Sequence, residues 1–174
     1  PTVIRVWMRA RTSVARAWEA AHAVPAIFGG AGRGAQRAAW AAGFVAENAA
    51  ATGQHHVASL LDLVKAFERI PHHRILEAAR VYGFSLAILR LSLAAYRLTR
   101  AVGVDGVYSG GMVASRGITA GSGFATLELR LLLHYTIVVA TTRWPTLAIT
   151  LYVDDLTISA TGAAELAVKE VALC

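Results

Sequence analysis

The feature that most constrains this chain is a pair of adjacent carboxylates, Asp154 and Asp155, set between two alternating apolar segments. Thr146 to Val153 alternates as a strand, and Leu156 to Ala160 alternates again. The pattern predicts a β-hairpin with the two acids at its tip. Asp is common in turns because its side chain can bond the nearby backbone. Two neighbouring acids between buried strands are harder to accommodate, since like charges repel and loss of water strengthens the repulsion. A bound cation resolves the conflict, and a hard divalent ion such as Mg²⁺ prefers carboxylate oxygen.

Asp62 is in the same position. His55 to Leu63 reads as a buried strand after the Thr52-Gly53 break, and Asp62 lies at its end. A charge in such a run is costly unless paired or metal-bound. If the two strand systems are neighbours in one sheet, Asp62 and Asp154 can share an ion although 154 − 62 = 92 positions separate them. Two such ions, about 3.5–4 Å apart, stabilise both the attacking and the leaving oxygen in phosphoryl transfer.

Composition narrows the class. Of 174 residues 56% are hydrophobic and 16% charged, enough apolar surface for one domain with an appended lobe and too much for a disordered chain. Lys and Arg number 17 against 11 acids, and the net charge of +6 suits a polyanionic partner such as nucleic acid. Arg, Glu or His interrupts each apolar run before the roughly 18 residues a membrane span needs. Leu131 to Thr142, the most tempting run, contains His134. Arg5, Arg9 and Arg11 break up the early apolar segment, so no signal peptide is expected and the protein is expected to be intracellular. A single Cys, Cys174, excludes a disulfide framework and a Cys-based zinc site.

The remaining pattern is mixed. Thr2 to Ala21 has helical spacing, with Arg5, Arg9 and Arg16 away from the apolar stripe, where they can meet phosphates or simply water. Phe28 to Gly34 is a glycine-rich loop carrying Arg33; it lacks a Gly-Lys-Ser/Thr ending and is no Walker-type phosphate cradle. Helices are expected over Gln36 to Ala50, from Pro71 to Tyr82, over Leu86 to Arg97 with Ser85 as cap, from Gly123 to about Ala140, and over Ala163 to Leu173. Asp105-Gly106 between Val-rich arms signals a second hairpin, and Gly117 to Gly123 a second glycine-spaced loop. Strands and helices in no regular βαβ order imply an α+β fold. His55-His56 would point to opposite strand faces and His72-His73 sits at a helix start, so neither pair is built for zinc.

The segments Asp62 to His72 (DLVKAFERIPH) and Tyr152 to Asp155 (YVDD) resemble the two metal-binding motifs of reverse transcriptases, in the style of non-LTR retroelements and group II introns. The intervening Gly-Phe-Ser helix, Val-rich hairpin and Gly117 to Ser122 resemble the material that separates those motifs in the family, and Phe28 to Gln36 resembles its fingers segment. The resemblance implies an α+β right-hand polymerase palm (an antiparallel sheet with packed helices), with partial fingers over 1–54, palm over 55–174 and no thumb. It implies an RNA-directed DNA polymerase that joins a dNTP to a primer 3′-OH on an RNA template, with two Mg²⁺ or Mn²⁺ ions. Asp62, Asp154 and Asp155 would be catalytic, and these three with the Leu63 carbonyl would hold metal. Phe67 would be the aromatic that crowds a ribose 2′-OH, and Ala120 and Gly121 would lie near nucleotide and template. Arg5, Arg9, Arg16 and Arg33 are the candidate nucleic-acid contacts. Ala120 stands where the family carries Gln, which supports a second reading: a catalytically silent relative that binds RNA through its basic surface.

Overall fold

A computed structural model describes residues 2–30 and 32–174. The fold is mixed α+β: α1 (Thr2–Ala10), α2 (Thr12–Ala21), α3 (Ala35–Ala51), β1 (His55–Asp62), α4 (His72–Val81), α5 (Leu86–Tyr96), β2 (Gly103–Val104), β3 (Val107–Tyr108), α6 (Ala125–Arg143), β4 (Ala148–Tyr152), β5 (Asp155–Gly162) and α7 (Ala164–Leu173). Two compact units emerge. A sheet unit comprises Arg16–Val64 and Leu133–Cys174, and a loop unit comprises the chain up to Ala15 together with Lys65–Leu132. Residues 1–54 are thus shared between both units. Among the described residues no helix is long and apolar enough to cross a membrane.

In the sheet unit, three antiparallel strands run in the order β1-β5-β4. The β4–β5 hairpin is local. β1 comes from much earlier in the chain and pairs along its whole length with β5, from His55 opposite Gly162 to Asp62 opposite Asp155. Side chains alternate along a strand. Ile149, Leu151, Ile158 and Ala160 therefore share one face, where they pack with Ile137 of α6 and Ala167 of α7 as the core. The other face presents Thr150, Tyr152, Asp155 and Thr157 toward Ala35, Ala38 and Ala42 of α3, around a cavity of about 370 Å³. Segment Ala26–Phe28 extends the outer edge of β4: Leu151 N–H donates to the Ala26 carbonyl and Phe28 N–H to the Leu151 carbonyl, each at 2.8 Å.

In the loop unit, α4 and α5 carry the buried Ile75, Ala79, Ile88 and Leu89. Asp105 and Gly106 both have positive φ, 50° and 82°. That is what the tight turn joining β2 to β3 demands, and Gly meets it at no steric cost. Gly117 (φ +90°) is required for a further reason, because a Cβ there would lie 2.9 Å from the Glu68 carbonyl oxygen. This contact closes the Gly117–Gly123 loop onto the turn that follows Lys65.

Three local expectations need correction. β1 is not a buried strand: it lies at the edge of the sheet, none of its residues is buried, and Leu60 and Leu61 are exposed. The single helix over Thr2 to Ala21 is broken at Arg11, whose N–H takes the Met8 carbonyl in a tight turn at 3.0 Å. The Thr12 hydroxyl competes for the same carbonyl at 3.4 Å, as Thr does when it offers the backbone an alternative partner. Ser85 occupies the N-cap position of α5 but makes no side-chain capping bond. Ala31, inside the Phe28–Gly34 loop, lies outside the described residues.

Candidate metal centre and glycine loop

The β4–β5 hairpin closes between Tyr152 and Asp155, leaving Val153 and Asp154 as a two-residue turn. Asp155 faces Asp62 directly across the β1–β5 ladder. Directly opposed residues project to the same side of a sheet, so these two carboxylates share a face, and like charges so placed destabilise the pairing. Both are exposed, and Asp154 is half-buried. Among the described residues no ion pair neutralises any of the three; the one salt bridge joins Arg74 to Glu77. Leu63 follows the end of β1, half-buried.

The turn itself is strained. Val153 has φ +60°. A β-branched residue in the left-handed region is a genuine outlier, costing on the order of 1–3 kcal/mol, and such strain concentrates at functional sites. Gly29 packs against it: a Cβ on Gly29 would meet the Val153 nitrogen at 3.4 Å. Arg33 holds this approach in place. One guanidinium nitrogen donates to the carbonyls of Val24 (2.8 Å), Pro25 (3.1 Å) and Ile27 (2.6 Å), and the group lies 5.9 Å from the Phe28 ring centroid. Arg33 thereby pins the segment that pairs with β4.

Among the described residues no group of three or more His, Cys, Asp or Glu side chains is arranged as a ready cation cage. The donor set instead suits an ion that is incompletely caged by protein. Mg²⁺ is usually held by one or two carboxylates and completes its shell with water and substrate phosphate oxygens. Asp62, Asp155 and Asp154 could offer carboxylate oxygens of that kind, and Leu63 follows Asp62 directly in the chain.

Phe67, Ala120 and Gly121 belong to the loop unit. Phe67 is half-buried, and its carbonyl accepts from Ile118 N–H at 2.8 Å. Ala120 and Gly121 are exposed. The loop that carries them is pinned at nearly every residue. Gly117 N–H donates to the Ile70 carbonyl at 2.7 Å. His72, fully buried, donates from Nε2 to the Gly117 carbonyl at 2.8 Å and accepts from Arg97 Nε at Nδ1, an arrangement that fixes its neutral tautomer. Arg100 donates to Thr119 Oγ1 at 2.7 Å, and Arg5 Nε donates to the Gly121 carbonyl at 3.2 Å. Arg5 and Arg9 lie on α1 and Arg16 on α2, all exposed, so the three do not form a stripe on one helix.

Beneath the loop, Tyr96 donates to buried Glu128 at 2.6 Å, and its oxygen meets the Ser122 hydroxyl at 2.6 Å. Burial pushes the Glu128 carboxyl up to about 7, with the hydrogen bond from Tyr96 pulling it partway back. Burial, reinforced by the Glu128 charge, also raises the Tyr96 phenol. Neither Glu128 nor His72 stands out as a site residue in the sequence. The available signal for Glu128 was an acid in the leucine-rich run Leu127 to Leu133, where Arg130 is the other charged residue.

No protein-family model matches this chain, and no curated protein matches it by sequence.

Proposed function

We propose that the sheet unit is the palm of a reverse-transcriptase-type polymerase, in which Asp62, Asp154 and Asp155 hold divalent cations for nucleotidyl transfer. The observation that carries the reading is the register. Asp62 stands opposite Asp155, next to the strained turn that bears Asp154, with no cationic side chain paired to any of them. Bound Mg²⁺ or Mn²⁺ would neutralise these acids and stabilise charge on the attacking and leaving oxygens. The chain's own residues would bind and orient. Leu63 would offer its carbonyl, and by the resemblance Phe67 would crowd a ribose 2′-OH so that a dNTP is preferred, with Ala120 and Gly121 the residues for template and incoming base. Arg9 and Arg16, exposed and basic, suit the phosphates of an RNA template and a DNA primer, while Arg5 and Arg33 serve mainly by holding the two loops. Fixed positioning is what such a reaction needs from protein, because little covalent chemistry falls to it.

The test pairs a Mn²⁺ titration followed by electron paramagnetic resonance with primer extension on a poly(rA) template. Asp62→Asn and Asp154→Asn should each weaken Mn²⁺ binding at least about tenfold without lowering the melting temperature. Mn²⁺ binding unchanged in both variants would overturn the metal site. Intact Mn²⁺ binding without extension would select the silent RNA-binding relative, the reading that Ala120 and the +6 charge favour; its RNA affinity should then fall steeply with salt.

A further inference from the structure

A second site, outside the acidic hairpin, lies wholly within the loop unit. α1, α5 and the Thr119–Ser122 stretch enclose a cavity of about 360 Å³. Ile4, Met8 and Leu98 give it apolar walls. Its charged lining is entirely basic: Arg5 and Arg100 border it, and none of its lining residues is an acid. Both guanidinium groups are already oriented. Arg5 is held by the Gly121 carbonyl, and Arg100 by the Tyr96 carbonyl at 3.2 Å and Thr119 Oγ1 at 2.7 Å. A guanidinium carries five N–H donors, so each keeps several for another acceptor. Two cations pre-positioned against an apolar pocket, with no counter-charge in its walls, fit a ligand with an apolar body and an anionic head, and their prior ordering lowers the cost of binding. The volume lies at the small end of the roughly 300–1,000 Å³ typical of ligand pockets. We infer that this cavity binds a small amphiphilic anion, an apolar body bearing one carboxylate or phosphate, with Arg100 and Arg5 as the anion partners.

This inference goes beyond the polymerase reading and does not depend on it. The probes are benzoate, phenyl phosphate and neutral benzamide, followed by ligand-observed NMR on the full chain. At least one anionic probe should saturate in the millimolar range, with benzamide at least tenfold weaker. The benzoate-to-phenyl phosphate ratio identifies the preferred head group. Arg100→Gln should cost the anionic probe at least tenfold, and Leu98→Trp, which fills the cavity, should abolish binding while the thermal melt is retained. Asp62→Asn, in the sheet unit, should leave probe affinity unchanged. Equal binding of benzoate and benzamide, no saturation by any probe, or full affinity in both Arg100→Gln and Leu98→Trp would overturn the inference. So would displacement of the probe by a single-stranded oligonucleotide, which would reassign the two arginines to nucleic acid.

Discussion

In the sheet unit three carboxylates lie at or beside one turn, exposed or half-exposed, two of them opposite each other across the ladder and, among the described residues, none in an ion pair. In the loop unit Glu128 is only 1% exposed, takes a short bond from Tyr96, and is held nearer its neutral form. One acid takes a hydrogen bond from Tyr96 at one carboxylate oxygen and has its other oxygen buried without a partner, and the other three carry their charge at or near the surface. Equally uncommon acids in an apolar sequence thus serve opposite ends. Glu128 on α6 joins Tyr96 on α5, which in turn meets Ser122 of the glycine loop, whereas Asp62 and Asp155 set like charges opposite each other across the β1–β5 ladder.

The sharpest break of this contrast is Asp154→Asn. On the polymerase reading it should lower primer extension by about a thousandfold, the several kcal/mol that metal-held charge supplies, with the fold intact. Extension at the parent rate would remove Asp154 from the chemistry. Next in size is Glu128. It binds its proton more tightly folded, at about 7, than at its ordinary value of about 4.5. The raised value means that the contribution of Glu128 to stability is fully present below about 4.5, is lost as pH rises from there to about 7, and stays at the lower level above. The loss is about 3 kcal/mol. Glu128→Gln should flatten that slope when urea denaturation is followed against pH, and an identical slope in both proteins would show the carboxyl to be ordinary. Third, Val153→Gly should release the strained φ. After the entropic cost of glycine the net gain is about 1 kcal/mol in urea denaturation, accompanied by weaker extension. A loss of stability would mean that Val153 contributes more by packing than its backbone costs. Smallest is Asp62→Asn without divalent ions, which should raise the melting temperature by about 1–3 °C by removing the face-to-face charge. The advantage over the parent should vanish when Mn²⁺ is added, and its persistence would separate the carboxylates from any cation.

What the sequence disclosed was local. Alternation around Asp154-Asp155 and the Asp105-Gly106 pair located both hairpins, and Pro71 and Gly83 bracketed α4, because a strand period, a tight turn and a helix stop depend on neighbouring residues. The pairing of β1 with β5 rather than β4 was not legible, since period-2 alternation says which face is buried and nothing about which strand is alongside. The same limit hid the tasks of Arg33 and His72. Arg33 sits in what reads as a flexible glycine loop, yet three carbonyls of an earlier segment converge on it. His72, at a helix start and unremarkable in the sequence, is spent on a loop 45 residues away. The break at Arg11 depended on a competition for one carbonyl that helical spacing does not register.

The ladder between β1 and β5 also has consequences for how the molecule is made. Its contacting residues at the acidic end are 155 − 62 = 93 positions apart, whereas β2 and β3 meet across two residues. A hairpin forms within about 1–10 µs, but a sheet that waits on so distant a segment bears the entropy of closing a long loop before any contact rewards it. During synthesis β1 leaves the ribosome well before β5 exists. For that interval its apolar residues, Leu60 and Leu61 among them, have no strand partner from β5. The hairpin acids and Asp62 become neighbours only at the end, so nascent chains stalled before β5 would be prone to self-association.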